Sequence, residues 1–338
     1  MRVNRVMAVT LAGVAMLAPA AACSSGGAGA APPEPSSQAA PAVEETPTPP
    51  PAHPFTGRPT AKRKPVLAVK IENTAAGKPQ IGVKSADIVY VEQVEGGLTR
   101  LMAIYSSKLP KRIGPVRSAR ISDLHILPQF GKPALSYSGV QSKMIPYVRQ
   151  ASLVDVSHDA VPSAYTRVPG RVAPYNLVVD PRKLLAQADG VSKAKDIGFT
   201  FGEAPEGGVE RRSFTVRYPA ATFTFRWSQR QGRWLIWQDG KRDMAEEGGQ
   251  LGAPTIVVQY AKTVRSEFHD SNGSYTPLVQ TTGKGRAVIL RDGKAYKGRW
   301  ERPTEEDGTT FTTESGEPMP FAPGQVWVVL AAPKPVQP

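Results

Sequence analysis

Asp87-Ile88-Val89-Tyr90-Val91-Glu92-Gln93-Val94-Glu95-Gly96-Gly97-Leu98-Thr99-Arg100-Leu101 is the stretch that decides the fold. Its first eight residues are rich in β-branched and aromatic side chains, which predicts a strand over 87–94. Side chains alternate along a strand, so Glu92 shares a face with Ile88, Tyr90 and Val94. The Gly96-Gly97 pair then predicts a tight turn, because glycine enters left-handed backbone without steric penalty. The chain returns as a second strand over 101–105 and brings Arg100 back beside Glu92 or Glu95. A carboxylate among apolar neighbours needs a partner or takes up a proton, so an ion pair with Arg100 is expected.

On either side of this hairpin, further strands are expected over 66–71, 134–138 and 176–179. Helices are expected over 120–130, 141–150 and 181–188, the last opened by Asp180 as its cap and Pro181 in its first turn. Strands mixed with helices give an α/β or α+β class for an N-terminal domain over 65–192. From Lys193 the texture changes to short aromatic and β-branched segments between glycine-rich turns, over 214–218, 222–227, 234–237, 256–260, 286–290 and 326–330. This pattern predicts a β-rich C-terminal domain over 193–338. Within it, Arg291-Asp292-Gly293-Lys294 places Asp-Gly between two apolar runs, a strong hairpin signal.

The first 22 residues read as an export leader: Arg2 and Arg5, an apolar run over 6–17, then Ala20-Ala21-Ala22. The run falls short of the roughly 20 residues needed to cross a bilayer. Cys23 follows, the single cysteine of the 338 residues. Its position is that of a thiol that receives a diacylglyceryl group, so the expected location is the outer face of the cytoplasmic membrane, lipid-anchored, with that membrane as partner. Simple secretion is the alternative, because the alanine run also satisfies a small-x-small cleavage rule and Ala20 stands where such lipidation signals more often carry Leu. Residues 23–64, rich in Gly and Ala and then in Pro, predict a semi-extended linker. A thiol committed to lipid leaves none for disulfides or thiolate catalysis, which excludes cysteine-dependent wall enzymes. The formal charge is +13, and loss of Arg2 and Arg5 with the leader leaves +11. That surplus suits polyanions of the envelope or serves solubility, since no run of five or six basic residues occurs.

Three runs carry a resemblance: Ser85-Ala86-Asp87-Ile88-Val89-Tyr90; Val94-Glu95-Gly96-Gly97-Leu98-Thr99-Arg100-Leu101; and Ile113-Gly114-Pro115-Val116-Arg117-Ser118-Ala119-Arg120. Ala173-Pro174-Tyr175-Asn176-Leu177 and the segment 283–300 extend it over nearly the whole mature chain. In these runs the sequence resembles the YerB-like lipoproteins of DUF3048 type, built of an N-terminal and a C-terminal domain of unknown function. The resemblance implies a lipoprotein with this layout and supplies no reaction. Family members commonly have His where this chain has Tyr175, and a His-containing segment where it reads Ser136-Tyr137-Ser138-Gly139. Both departures remove an imidazole.

The candidate site is Glu92, Glu95, Arg100, Arg117 and Arg120. Arg117 and Arg120 lie three residues apart and converge if a helix begins near Ser118, where guanidinium forks and backbone N–H groups suit a carboxylate or phosphate. One reading is an anion-binding pocket at the end of the sheet; the other is a framework network in which the arginines pair with Asp87, Glu92, Glu95 and Asp123. The functional expectation is a non-catalytic lipoprotein that binds an anionic envelope ligand or a protein partner. The alternative is a wall-acting hydrolase or transferase with Glu92 or Glu95 as general acid or base. His158-Asp159 reads as a solvated loop pair, His125 as a helix-surface residue, His53 as part of the linker and His269-Asp270 as a turn flank. The four histidines show no metal-ligand spacing, and no cofactor or specific nucleic-acid partner is expected. Ser192-Lys193-Ala194-Lys195 lacks the triplets that would make its S-x-x-K catalytic. Gly283-Lys284-Gly285-Arg286 reads as a strand entry. Of the set Phe223, Phe225, Arg226, Trp227, Arg233, Trp234 and Trp237, Trp234 and Trp237 fall on opposite faces of one strand, so one belongs to the core.

Overall fold

The hairpin forms as the alternation predicts, and a third strand completes its surroundings. In the computed structural model, which describes residues 51–60, 62–270 and 272–333, β1 (Leu67–Glu72), β2 (Ile88–Gln93) and β3 (Thr99–Tyr105) lie side by side with β3 central. Both pairings are antiparallel, and Arg100 stands opposite Glu92 on one side and Glu72 on the other. Cys23, the leader and the linker up to residue 50 lie outside the described residues. The folded part nevertheless begins before Pro65: Phe55 is fully buried and His53 nearly so, which corrects the assignment of His53 to a linker. Burial pushes the His53 imidazole below its ordinary range.

The N-terminal half is richer in sheet than expected. It adds β4 (Ala134–Ser136), β5 (Val154–Asp155), β6 (Tyr165–Arg167) and β7 (Leu177–Val179). Its helices are only α1 (Ile121–Ile126), α2 (Ile145–Gln150) and α3 (Pro181–Leu185). The helix expected over 120–130 tightens into a 3₁₀ turn at Leu127–Phe130, where Pro128 has no N–H to continue the ladder. The one expected over 141–150 starts as a 3₁₀ turn at Ser142–Met144, and Pro146 sits in the first turn of α2. Asp180 caps α3 as expected, accepting from the N–H groups of Arg182 and Lys183.

The second half contributes β8 (Val209–Glu210), β9 (Ser213–Tyr218), β10 (Ala221–Ser228), β11 (Arg233–Gln238), β12 (Lys241–Arg242) and β13 (Gly252–Ala253). It continues with β14 (Thr255–Tyr260), β15 (Thr263–His269), β16 (Tyr275–Val279), β17 (Gly283–Arg291), β18 (Lys294–Arg302), β19 (Thr310–Thr313) and β20 (Val326–Ala331). The Asp-Gly turn joins β17 to β18 with Asp292 and Gly293 at φ 51° and 74°, the left-handed pair that a two-residue hairpin requires. Gly283-Lys284-Gly285-Arg286 is the start of β17, a strand entry.

Residue 193 marks a change of texture without a break in the sheet. Eleven strands join in the order β19-β18-β17-β14-β20-β2-β3-β1-β4-β5, with β8 on β18. β20 bonds parallel to both β14 and β2, and all six of its residues are buried, as expected of a parallel strand covered on both faces. A smaller sheet, β12-β11-β10-β9 with β13, covers one face. There Phe223, Phe225 and Trp234 are fully buried in one core with Val89, Leu101 and Trp327. Trp237 lies on the outer face of β11 under the Arg226 guanidinium, 4.6 Å from its ring centre. On the opposite face of the large sheet, α1 and its 3₁₀ extension pack on Ala68, Ile88, Tyr90, Met102 and Ile104.

Candidate functional site

That second face is apolar at one end and charged at the other. Register places Lys70 and Glu72 of β1, Arg100 of β3 and Glu92 of β2 on the same side as the apolar residues beneath α1. The charged end has two layers.

The inner layer is sealed. Lys70, Glu92 and Asp123 are inaccessible to solvent, with the Lys70 ammonium 3.0 Å from Glu92 Oε1 and 2.5 Å from Asp123 Oδ1. Burial, reinforced by the neighbouring Asp123 carboxylate and opposed by Lys70, pushes the Glu92 carboxyl up to about 8, so it holds its proton at neutral pH. Asp123 also accepts from the Arg120 backbone N–H at 2.6 Å, at the start of α1. Of the two carboxylates expected beside Arg100, Glu92 is not the one that it approaches: the two stand opposite in register, but the buried Lys70 ammonium takes the Glu92 carboxyl.

The outer layer lines a cleft of about 910 Å³, walled by the turn after β2, the segment leading into α1, the loop before α2 and the tip of the β15–β16 hairpin. Glu95 enters it from the Gly96-Gly97 turn, where Gly97 has φ 72° and a Cβ would come 2.5 Å from Pro219. Arg120 Nε and Nη2 donate to the two Glu95 carboxylate oxygens at 2.6 and 2.8 Å, a bidentate fork. Thr276 of β16 donates to the same carboxylate. Burial alone would raise Glu95, but the Arg120 bonds and charge outweigh it and hold the carboxyl below its ordinary range.

Arg117 and Arg100 complete the floor. The Arg117 backbone N–H bonds to Lys70 O at 2.9 Å, extending the end of β1. Its Nε lies 3.0 Å from Glu72 Oε2, and its guanidinium stacks over Tyr175 at 5.2 Å from the ring centre. Arg100 lies 3.9 Å from Glu95. Burial first, then the neighbouring Arg120 charge, bring the Arg100 guanidinium down to about 10. Arg100 Nε and Nη1 and Arg117 Nη1 are buried without a hydrogen-bond partner among the described residues, while Arg117 Nε has its ion pair with Glu72.

Four of the five expected site residues, Glu95, Arg100, Arg117 and Arg120, therefore meet at one cleft, and Glu92 lies behind it. Sequence reasoning missed Lys70, Glu72, Thr276 and the stacking of Tyr175 on Arg117. The first two carried a signal: Leu67-Ala68-Val69-Lys70-Ile71-Glu72 has two charges at alternate positions of a strand that is otherwise apolar. Thr276 belongs to a hairpin nearly 180 residues away and carried none. Of the other candidates, His269 and Asp270 line the same cleft at the tip of the β15–β16 hairpin, and the rest lie elsewhere. His158 and the exposed Asp159 are 3.4 Å apart in a loop, His125 pairs with Glu305 at the surface, and Ser192 Oγ accepts from the Lys132 N–H. Among the described residues no group of three His, Cys, Asp or Glu converges to hold a metal.

Residues 55–194 match the family model described as "Protein of unknown function (DUF3048) N-terminal domain", and residues 214–328 match its C-terminal counterpart. The chain is 24% identical over 291 residues to the protein named "Putative lipoprotein YerB" from Bacillus subtilis (strain 168), covering 81% of this chain and 84% of that protein. It superposes on the crystal structure of the YerB protein from Bacillus subtilis with a TM-score of 0.69 at 19% identity, over 82% of this chain and 96% of the other.

Proposed function

The chain belongs to the DUF3048 family, and from that premise we propose that it is a lipoprotein anchored by lipid to the outer face of the cytoplasmic membrane, whose arginine cleft binds an anionic group of an envelope ligand. The anchor rests on Cys23 at the end of the leader and on similarity to a protein named as a lipoprotein. The anion rests above all on Arg100. A buried donor without a partner costs roughly 1–3 kcal/mol; Arg100 keeps two such donors and Arg117 one, its Nη1. An arriving carboxylate or phosphate would satisfy them and relieve the mutual repulsion of the three guanidiniums.

Acid–base chemistry finds less support. Glu92 has no access to the cleft, and both Glu95 oxygens are engaged by Arg120, so neither is free to move a proton on a substrate. The test is a thermal-shift titration of residues 24–338 with inorganic phosphate at constant ionic strength. Phosphate should raise the melting temperature of the wild type and leave Arg100→Gln unmoved. The same shift in both proteins, or no shift in the wild type, would remove the cleft as an anion site.

A further inference from the structure

A phosphate or carboxylate fills a small part of a cleft of about 910 Å³, a volume at the upper end of those that hold whole small molecules. The remainder is bordered by side chains of a different kind. Among the described residues seven large apolar side chains are exposed; Leu98 lines this cleft, and Ile145, Tyr147 and Tyr275 stand close in sequence to residues that line it. Leu98 lines it directly; Ile145 and Tyr147 follow the lining residue Met144; Tyr275 stands between the lining residues Ser274 and Thr276. Single exposed apolar residues are ordinary, but their gathering round one opening is not.

Local contacts hold two of these side chains outward. The Tyr147 ring meets Phe268 edge-on at 5.3 Å and its hydroxyl donates to Glu267, while Tyr275 packs beneath the Arg265 guanidinium. α2 exposes Ile145, Pro146 and Tyr147 in succession, an apolar lip with no covering element among the described residues. The floor, by contrast, carries three guanidiniums, Arg100, Arg117 and Arg120, against two carboxylates, Glu72 and Glu95. One positive charge is left over, which matches a single anionic group rather than a chain of them.

We infer that the cleft takes an anionic amphiphile, with one phosphate or carboxylate headgroup on Arg100 and Arg117 and an apolar chain or ring along the lip formed by Leu98, Tyr147 and Tyr275. This rests on the anion-binding reading of the same cleft and specifies the rest of the ligand. An amphiphile is also what a protein tethered at a membrane surface meets at high local concentration.

Isothermal titration of residues 24–338 with methyl phosphate, dodecyl phosphate and dodecanoate, the last two below their micelle-forming concentrations, tests it on wild type, Arg100→Gln and the double variant Leu98→Ser/Tyr147→Ser. Burying about two methylene groups is worth roughly tenfold in affinity. Dodecyl phosphate should therefore bind the wild type at least about tenfold more tightly than methyl phosphate, the double variant should lose that increment, and Arg100→Gln should weaken both ligands. The stronger of dodecyl phosphate and dodecanoate identifies the headgroup. The two replaced side chains are exposed, so an unchanged melting temperature verifies the fold of the double variant. Equal affinity for the short and long phosphates, or an increment that survives in the double variant, would overturn the amphiphile and leave the anion site standing. Dodecyl phosphate bound as tightly by Arg100→Gln as by wild type would mean adsorption away from the cleft and would overturn it as well. Failure of all three ligands to bind the wild type would remove both readings.

Discussion

Replacing Glu92 by glutamine should stabilise this protein, and by an amount that grows with pH. The carboxyl is fully buried, shares one ammonium with Asp123, and has been pushed from an ordinary 4.5 up to about 8. The folded state therefore holds a proton that the unfolded chain releases above 4.5. A raised folded value means that the group's contribution is fully present below about 4.5 and is lost as pH climbs towards 8, beyond which nothing further changes. Each unit of separation is worth about 1.4 kcal/mol, so the interval between the two values sets a ceiling of about 5 kcal/mol on the loss. Glutamine matches the shape of the protonated acid and cannot ionise. At pH 5 the two proteins should agree within about 1 kcal/mol, and by pH 9 the variant should be the more stable by several. Urea unfolding followed by tryptophan fluorescence at pH 5, 7 and 9 measures the difference directly, and titrations common to both proteins cancel. If Glu92 were instead an ionised partner of Lys70, the variant would be weaker by about 3–5 kcal/mol at neutral and alkaline pH. Parallel stability profiles, or that opposite sign, would refute the reasoning.

Arg120→Ala strips Glu95 of its fork and leaves Thr276 as the main remaining donor; urea unfolding at pH 7 should show a loss of about 3–5 kcal/mol. Because Glu95 lies below its ordinary range in the native protein, this loss should shrink as pH falls through the usual carboxylate values, and a pH-independent loss would contradict the assignment. Gly97→Ala forces a Cβ into Pro219 at a residue of positive φ and should cost at least about 1–3 kcal/mol in the same assay, whereas Gly96→Ala, with nothing within 4 Å, should bear only the cost of its own positive φ. Arg302→Leu removes a fully buried guanidinium that donates to the carbonyls of Ile126, Glu305 and Asp307 and to Thr281. Those acceptors would be left dry, so a drop of about 3 kcal/mol or more is expected, and a neutral result would mean that water replaces the side chain.

What the sequence disclosed was local. The 87–101 hairpin, its face assignment, the Asp180 cap and the Asp-Gly turn all follow from periodicity and turn chemistry acting over a few residues. The convergence of Glu95, Arg100, Arg117 and Arg120 was legible because two of the four flank a glycine turn and the other two precede α1, although α1 begins at Ile121 and not near Ser118, so Arg117 and Arg120 converge from outside the helix. Helix lengths were overestimated because Pro128 and Pro146 were weighed less than the surrounding apolar pattern. Which of Glu92 and Glu95 approaches Arg100 was not legible because Arg100 stands opposite Glu92 in register, and nothing in the hairpin announced a lysine from β1 beneath it. The placement of β20 between β14 and β2 had no local signal at all, since a buried apolar run fits any interior position of a sheet. The fourth wall of the cleft, from β15 and β16, was hidden for the same reason: it depends on a pairing distant in sequence.

The position of β20 also fixes an order of assembly. Among the described residues, the strands β2-β3-β1-β4-β5 and β19-β18-β17-β14 meet through Val326–Ala331, which follow all the other strands in sequence. Until they arrive, β2 and β14 present two bare edges, each a template for the wrong neighbour. The native sheet therefore cannot close until β20 is in place. That delay concentrates the hazard of mispairing in the interval before β20 docks between its two neighbours.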